Sequence, residues 1–451
     1  MIDTLSTAMK KRTSMFSTVG LAALTFVVAA ELLGWTGNWM LTHRFPTYGR
    51  LRNDLANVKG VESKSNQDEQ NGARVIHPYL GFATPPENIT VLHRIDGEPL
   101  EEYGFDVGSG PLMMKPNPQK YVIGIFGGSV AKQLWEKRGT DALIEKLKTV
   151  PQFRNKDIVI SSGSFYSYRQ PQDFLSFAYL LSIGAHFDAV ILLDGFNDIF
   201  RPDPENMNAP ISPLYPYAWA AYTGDLNNDP VFRLKFGKVA ILDDMRYQRA
   251  QWLLHSPLRF SFAAGLVWKV MDQRLQASSL TAEYELQDYA SGTGSYAMRG
   301  PKIMYETKEE YFNDRALVWK KGAEMMWKLA DAQGIEFFHF LQPNQYVPNS
   351  KPLHDIELAI MNDLPLTAEP HIRQEVEDGY PYLIEAGKEL RLSGERFHDL
   401  TNIFATEHDA LYVDPCCHMN EEGNAILGQK IGELMLGDLG LHGAAEAGPN
   451  P

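Results

Sequence analysis

The chain has 451 residues, 44% of them apolar and 22% charged, which supports one large core or two modest ones and excludes a disordered chain. Its formal charge is −14, with no basic tract to balance it. A phosphate-binding surface needs clustered Lys and Arg, so nucleic acid is excluded as a partner.

Lys10, Lys11 and Arg12 precede an apolar run from about Met15 to Leu33, roughly the 20 residues that cross a bilayer as a helix. The basic cluster predicts that the N-terminus stays in the cytoplasm and that everything after the run is exported. Residues 1–40 thus read as a short stub and a single membrane anchor, with Trp35 and Trp39 at its interface. A cleaved signal peptide is the competing reading, since Val28 and Ala30 are small enough for a processing site. Residues 41–118 read as a juxtamembrane linker and irregular lead-in, "ESKSNQDEQNGA" (62–73) being its flexible part.

From residue 119 the pattern changes. Five short, almost wholly apolar runs read as strands covered on both faces: 121–126, 157–161, 188–195, 335–341 and 410–414. Amphipathic stretches at 131–148, 171–183 and 308–332 read as helices between them. Strand alternating with helix predicts an α/β fold, a three-layer α/β/α sandwich around a five-stranded parallel sheet. A large helical and irregular insertion, about 200–308, follows the third strand, with helical pieces near 238–254 and 260–276. Its aromatic segment 210–222 reads either as a lid over the strand ends or as a scaffold packed on the sheet. The fold closes near residue 437, and 438–451 reads as a disordered tail.

Parallel sheets bind ligands at the carboxyl ends of their strands, so chemistry is sought there. The first run is followed by Gly127, Gly128 and Ser129; the second by "SGSFYSYRQPQ"; the third by "GFND" with Asn197; the fourth by "QPNQY"; the fifth by Asp414 and His418. A serine becomes a nucleophile when a base takes its proton, and its oxyanion needs donors already in place. Ser129, His418 and Asn197 are the three types that chemistry requires. Taken singly, "FGGSVA" also reads as a helix N-cap and "GFND" as a turn; the motifs of a phosphate loop are not met.

In their order and placement these blocks resemble the SGNH hydrolases, the GDSL-type esterases and lipases. "FGGSVA" (126–131) is similar to the family's serine block, Gly195-Phe196-Asn197-Asp198 to its asparagine block, and Asp414 to His418 to its histidine block. "HPYLGF" (77–82), "YGF" (103–105), "RQPQ" (169–172) and "FLQPNQY" (340–346) resemble a bacterial, membrane-anchored branch. The resemblance implies a flavodoxin-like SGNH fold and ester hydrolysis, with Ser129 as nucleophile, His418 as base, and Asn197 and the Ser129 N–H as oxyanion donors. It implies an acyl ester or acylated glycan as substrate, and neither a metal nor an organic cofactor. A polysaccharide O-acetyltransferase or deacetylase would use the same residues, and an inactive anchored binding or assembly protein is the reading from another class.

Two departures from the family pattern stand out. At the place of the glycine whose N–H completes the family's oxyanion hole stands Ser167, with Gly163 four residues earlier as the other candidate donor. The aspartate usually stands three residues before the histidine; here Asp414 is four before, and Pro415 holds the usual place. Asp414 is expected as the third member of a triad through a bend at Pro415, a backbone carbonyl being the substitute. Cys416 and Cys417 read as packed thiols beside the histidine, with a vicinal disulfide or a metal site as lesser alternatives. His77, His93, His186, His339, His354, His371 and His398 read as structural.

Overall fold

The computed structural model describes residues 2–42, 44–58, 75–84, 98–99, 103, 105, 111–200, 212–217, 219, 230–293, 300–301, 303–362 and 372–441. The linker 62–73, part of the aromatic segment 210–222 and the tail beyond 441 lie outside them. In chain order the elements used below are α1 (Ile2–Thr42), α2 (Tyr48–Ala56), β1 (Lys120–Gly127), α3 (Ser129–Glu136), α4 (Gly139–Leu147), β2 (Asp157–Ser162), α5 (Gln172–Ser182) and β3 (Ala189–Asp194). They continue with α6 (Pro230–His255), α7 (Phe262–Thr293), α8 (Lys308–Ala332), β4 (Glu336–Leu341), α9 (Asp355–Asn362), α10 (Ile372–Leu392), β5 (Phe397–Asp399) and α11 (Glu421–Asp438).

The chain divides into two compact units, one formed by 1–67 with 229–286, the other by 68–228 with 287–451. Residues 229–286 therefore group with the N-terminal helix, not with the sheet. Within that first unit, Leu51 and Leu55 of α2 pack against Ala250, Leu253 and Trp268 of α6 and α7. Lys269 pairs with Asp54 at 2.7 Å and Arg246 with Asp272 at 2.8 Å. The stretch Leu21–Thr42 of α1 is long and apolar enough to cross a membrane.

The second unit is α/β, built on a five-stranded, all-parallel sheet in the order β2-β1-β3-β4-β5. Its strands are apolar on both faces because both are buried: Val122, Ile123, Ile125 and Phe126 of β1 and Val190 to Leu193 of β3 are all sealed from solvent. Such a side chain contributes about 1.5–3 kcal/mol by leaving water. Pairing of Gly127 with Leu193 and of Asp194 with Leu341 brings the carboxyl ends of β1, β3 and β4 level.

Four of the predicted strands are present, but the fifth is Phe397–Asp399, not 410–414. The latter segment makes only an isolated bridge between Tyr412 and Met419. Its backbone donors are taken by a side chain: Glu357 accepts the N–H groups of Leu411 and Tyr412, each at 2.9 Å. The predicted helix 131–148 is two helices, broken where Arg138 takes a left-handed φ of 60°.

Candidate active site

Gly127 ends β1 with a φ of 136° and so turns the chain sharply into α3, whose first residue is Ser129. Gly128 must lack a side chain, because a Cβ there would lie 2.2 Å from the Asn197 amide nitrogen. Ser129 and Asn197 stand at the ends of neighbouring strands, with the Asn197 amide against Gly128, and each is only 8% exposed. The N-terminal end of α3 favours negative charge beside Ser129.

The Ser129 hydroxyl and His418 Nε2 are hydrogen-bonded at 2.7 Å. The other ring nitrogen, Nδ1, carries its proton toward Asp414 Oδ2 in a short hydrogen bond. The extra residue between Asp414 and His418 is absorbed by a turn wound around the carboxylate. Asp414 Oδ1 accepts the N–H groups of Cys416 at 2.9 Å, Cys417 at 3.1 Å and His418 at 3.3 Å. One oxygen therefore shapes the loop while the other orients the imidazole.

Burial pushes the Asp414 carboxyl up, but the bonds from His418 and the backbone outweigh it and hold the group below its ordinary range. Burial alone would lower His418; the negative charge of Cys417, then the bond and charge of Asp414, raise it to about 9. Burial likewise pushes the Cys417 thiol up, while the bond to Cys416 and the charge of His418 bring it below its usual value. The two sulfurs lie 3.0 Å apart and are not joined in a disulfide.

The segment after β4 braces this loop from outside. Gln345 donates to the Asp414 carbonyl at 3.1 Å, Tyr346 to that of Pro415 at 2.7 Å, and Asn344 to that of Cys416 at 3.2 Å. In "QPNQY" the sequence marks a strand end, but these roles need the tertiary contact to appear.

Asn197 donates one amide hydrogen to the Tyr168 carbonyl at 2.9 Å, which fixes the plane of the amide. Its neighbour Asp198 accepts from the N–H groups of Gln170 at 2.8 Å and Gly195 at 3.2 Å, tying the two loops together. Burial and the nearby Asp194 raise the Asp198 carboxyl well above its ordinary value.

The N–H of Gly163 bonds the Ile125 carbonyl at 2.8 Å as a continuation of the sheet. Ser167 has a φ of 65°, the left-handed region that glycine fills most easily. The local backbone at this place is the one a glycine would adopt, although the residue is serine.

A buried network went unread in the sequence. His339 lies between Glu395 at 2.7 Å and Asp194 at 3.0 Å, and Trp319 donates to Asp194 at 2.8 Å. Burial works against a charged His339, but the two carboxylates raise it to about 9. His398 bonds Asp438 at 2.7 Å, and His77 accepts from the Leu80 N–H at 3.1 Å. His93 and His371 lie outside the described residues.

Among the described residues, Cys416, Cys417 and His418 hold ligand-type atoms within 4.8 Å of one another. Both nitrogens of His418 are engaged by Asp414 and Ser129, so a metal here would have to break that line of bonds. No protein-family model matches the chain, and no curated protein matches it.

Proposed function

We propose that the chain is a membrane-anchored serine esterase of SGNH type. The observation that carries this reading is the unbroken line from Asp414 through His418 to the Ser129 hydroxyl, next to the Asn197 amide.

Ser129 Oγ attacks the ester carbonyl carbon while its proton passes to His418 Nε2. Asp414 stabilises the imidazolium and keeps the proton on Nδ1, so Nε2 is always the nitrogen facing the serine. The oxyanion is met by the Asn197 amide and the Ser129 N–H, with Ser167 as the third donor. When the tetrahedral adduct collapses, the alcohol leaves with the proton from His418. Water then attacks the acyl-serine by the same route and releases the carboxylic acid, returning the proton to its start.

The test is acetate release from acetyl esters of short alcohols by the full-length chain. Ser129→Ala should fall to the uncatalysed background. Equal release by the variant would end the reading.

A further inference from the structure

The turn between α6 and α7 reaches the anchor helix. Ser261 Oγ and the Phe262 N–H both donate to the Glu31 carboxylate, the second at 2.7 Å, and Asn38 donates to the Phe262 carbonyl at 3.0 Å. Tyr48 stacks on Phe262 with ring centres 4.2 Å apart. At Gly34 the approach is backbone on backbone, since a Cβ there would lie 2.2 Å from the Ala263 nitrogen. A Cβ on Gly37 would meet the Leu266 side chain at 2.4 Å.

These contacts set the depth of the turn. Glu31 lies near the end of the apolar run from about Met15 to Leu33, one helical turn, about 6 Å, before Trp35. Trp35 and Trp39 are the residue type that marks a membrane boundary. Because Gly34 meets Ala263 and Gly37 meets Leu266, α7 starts near this level and runs alongside α1 in the same direction.

The surface around the turn is apolar where water would face it. Trp252 is 64% exposed, Leu258 47%, Phe260 61% and Val267 60%. Arg259 sits among them with its guanidinium over the Phe260 ring at 4.8 Å, a posture that lets a long side chain reach outward from an apolar layer. Ion pairs begin farther along the helices, with Lys269–Asp54 and Arg246–Asp272. Charged pairs thus enter with distance from the turn, although α6 also keeps exposed apolar residues farther along, Ile241 and Leu234 among them.

We propose that the α6–α7 turn is a second membrane contact. Trp252, Leu258, Phe260 and Val267 enter the headgroup–acyl boundary of the leaflet in which α1 ends, and Arg259 reaches a lipid phosphate. This rests on reading α1 as a bilayer span. The insertion between β3 and α8 then serves as a membrane foot, holding α1 at its boundary end.

The experiment places the photoreactive residue benzoylphenylalanine at Phe260, Leu234 or Leu24 of the full-length chain, in nanodiscs of phosphatidylethanolamine and phosphatidylglycerol. Lipid adducts are read by mass spectrometry after illumination. Adducts are expected at positions 24 and 260 and not at 234, which is 74% exposed on the far part of α6. An adduct at 24 with none at 260, or a chain-to-chain adduct at 260, overturns the proposal while leaving the span intact. No adduct at 24 removes the span and the proposal with it.

Discussion

Replacing Asp414 by Asn tests how the loop divides its work between two oxygens. An Asn side chain keeps an oxygen where Oδ1 collects the three backbone N–H groups, so the turn should persist. Its NH2 group, however, stands where Oδ2 accepts from His418 Nδ1, and two donors cannot share that bond. The ring is driven to the other tautomer, with its proton on Nε2 facing Ser129 and no lone pair left to take the serine proton. In triads of this kind that change lowers kcat by about 10⁴-fold, a barrier increase of about 5 kcal/mol. Removing the negative charge also takes away part of what raises His418 to about 9, so the acid limb of the remaining activity should move to lower pH. Asp414→Ala should go further, because it loses the three backbone bonds as well and so loosens the loop. The assay is kcat/KM for p-nitrophenyl acetate across pH 5–10, a test range of about five units, with thermal unfolding of each variant as the control for folding. An Asn variant within a few-fold of the parent, with an unmoved acid limb, would refute the reasoning.

Asn197→Ala should lower kcat by roughly 10²- to 10³-fold with little change in KM, measured by steady-state kinetics on the same ester. Cys417→Ala should keep the maximal rate but shift the acid limb of kcat/KM to lower pH, since the sulfur's negative charge helps to raise His418; an unshifted limb would contradict that charge. Glu357→Gln should destabilise the sheet unit by about 3 kcal/mol, read from urea unfolding, because Glu357 is buried against Lys351 at 2.8 Å and also holds Leu411 and Tyr412.

The sheet was legible because a strand buried on both faces must be largely apolar, and four of the five runs coincide with strands of six to eight residues. The fifth strand was not, since Phe397–Asp399 is three residues long and carries a histidine and an aspartate. The run 410–414 has the right composition, but a carboxylate on another element claims its donors, which no local pattern encodes. Ser129 and Asn197 could be found because their places at strand ends are fixed by topology, and His418 because it follows the run 410–414, which has a strand's composition without being one. Whether Asp414 joined them depended on how the chain bends at Pro415, and that is decided by three backbone hydrogens gathered on one oxygen. Ser167 and Gly163 could not be separated by residue type; the N–H of Gly163 is taken by the sheet and Ser167 holds the left-handed turn. The helices at 230–293 offered no sign that they group with the N-terminal helix, because the contacts of Glu31 with Ser261 and Phe262 join positions more than 200 residues apart.

Labelling with a fluorophosphonate, followed by peptide mapping, tests the central claim most directly, because the reagent reacts only with a serine whose proton is removed and whose oxyanion is held. One adduct is predicted, on Ser129, lost in Ser129→Ala and strongly slowed in Asp414→Asn. Well-folded protein that takes no label, or carries it on another serine, would contradict the account.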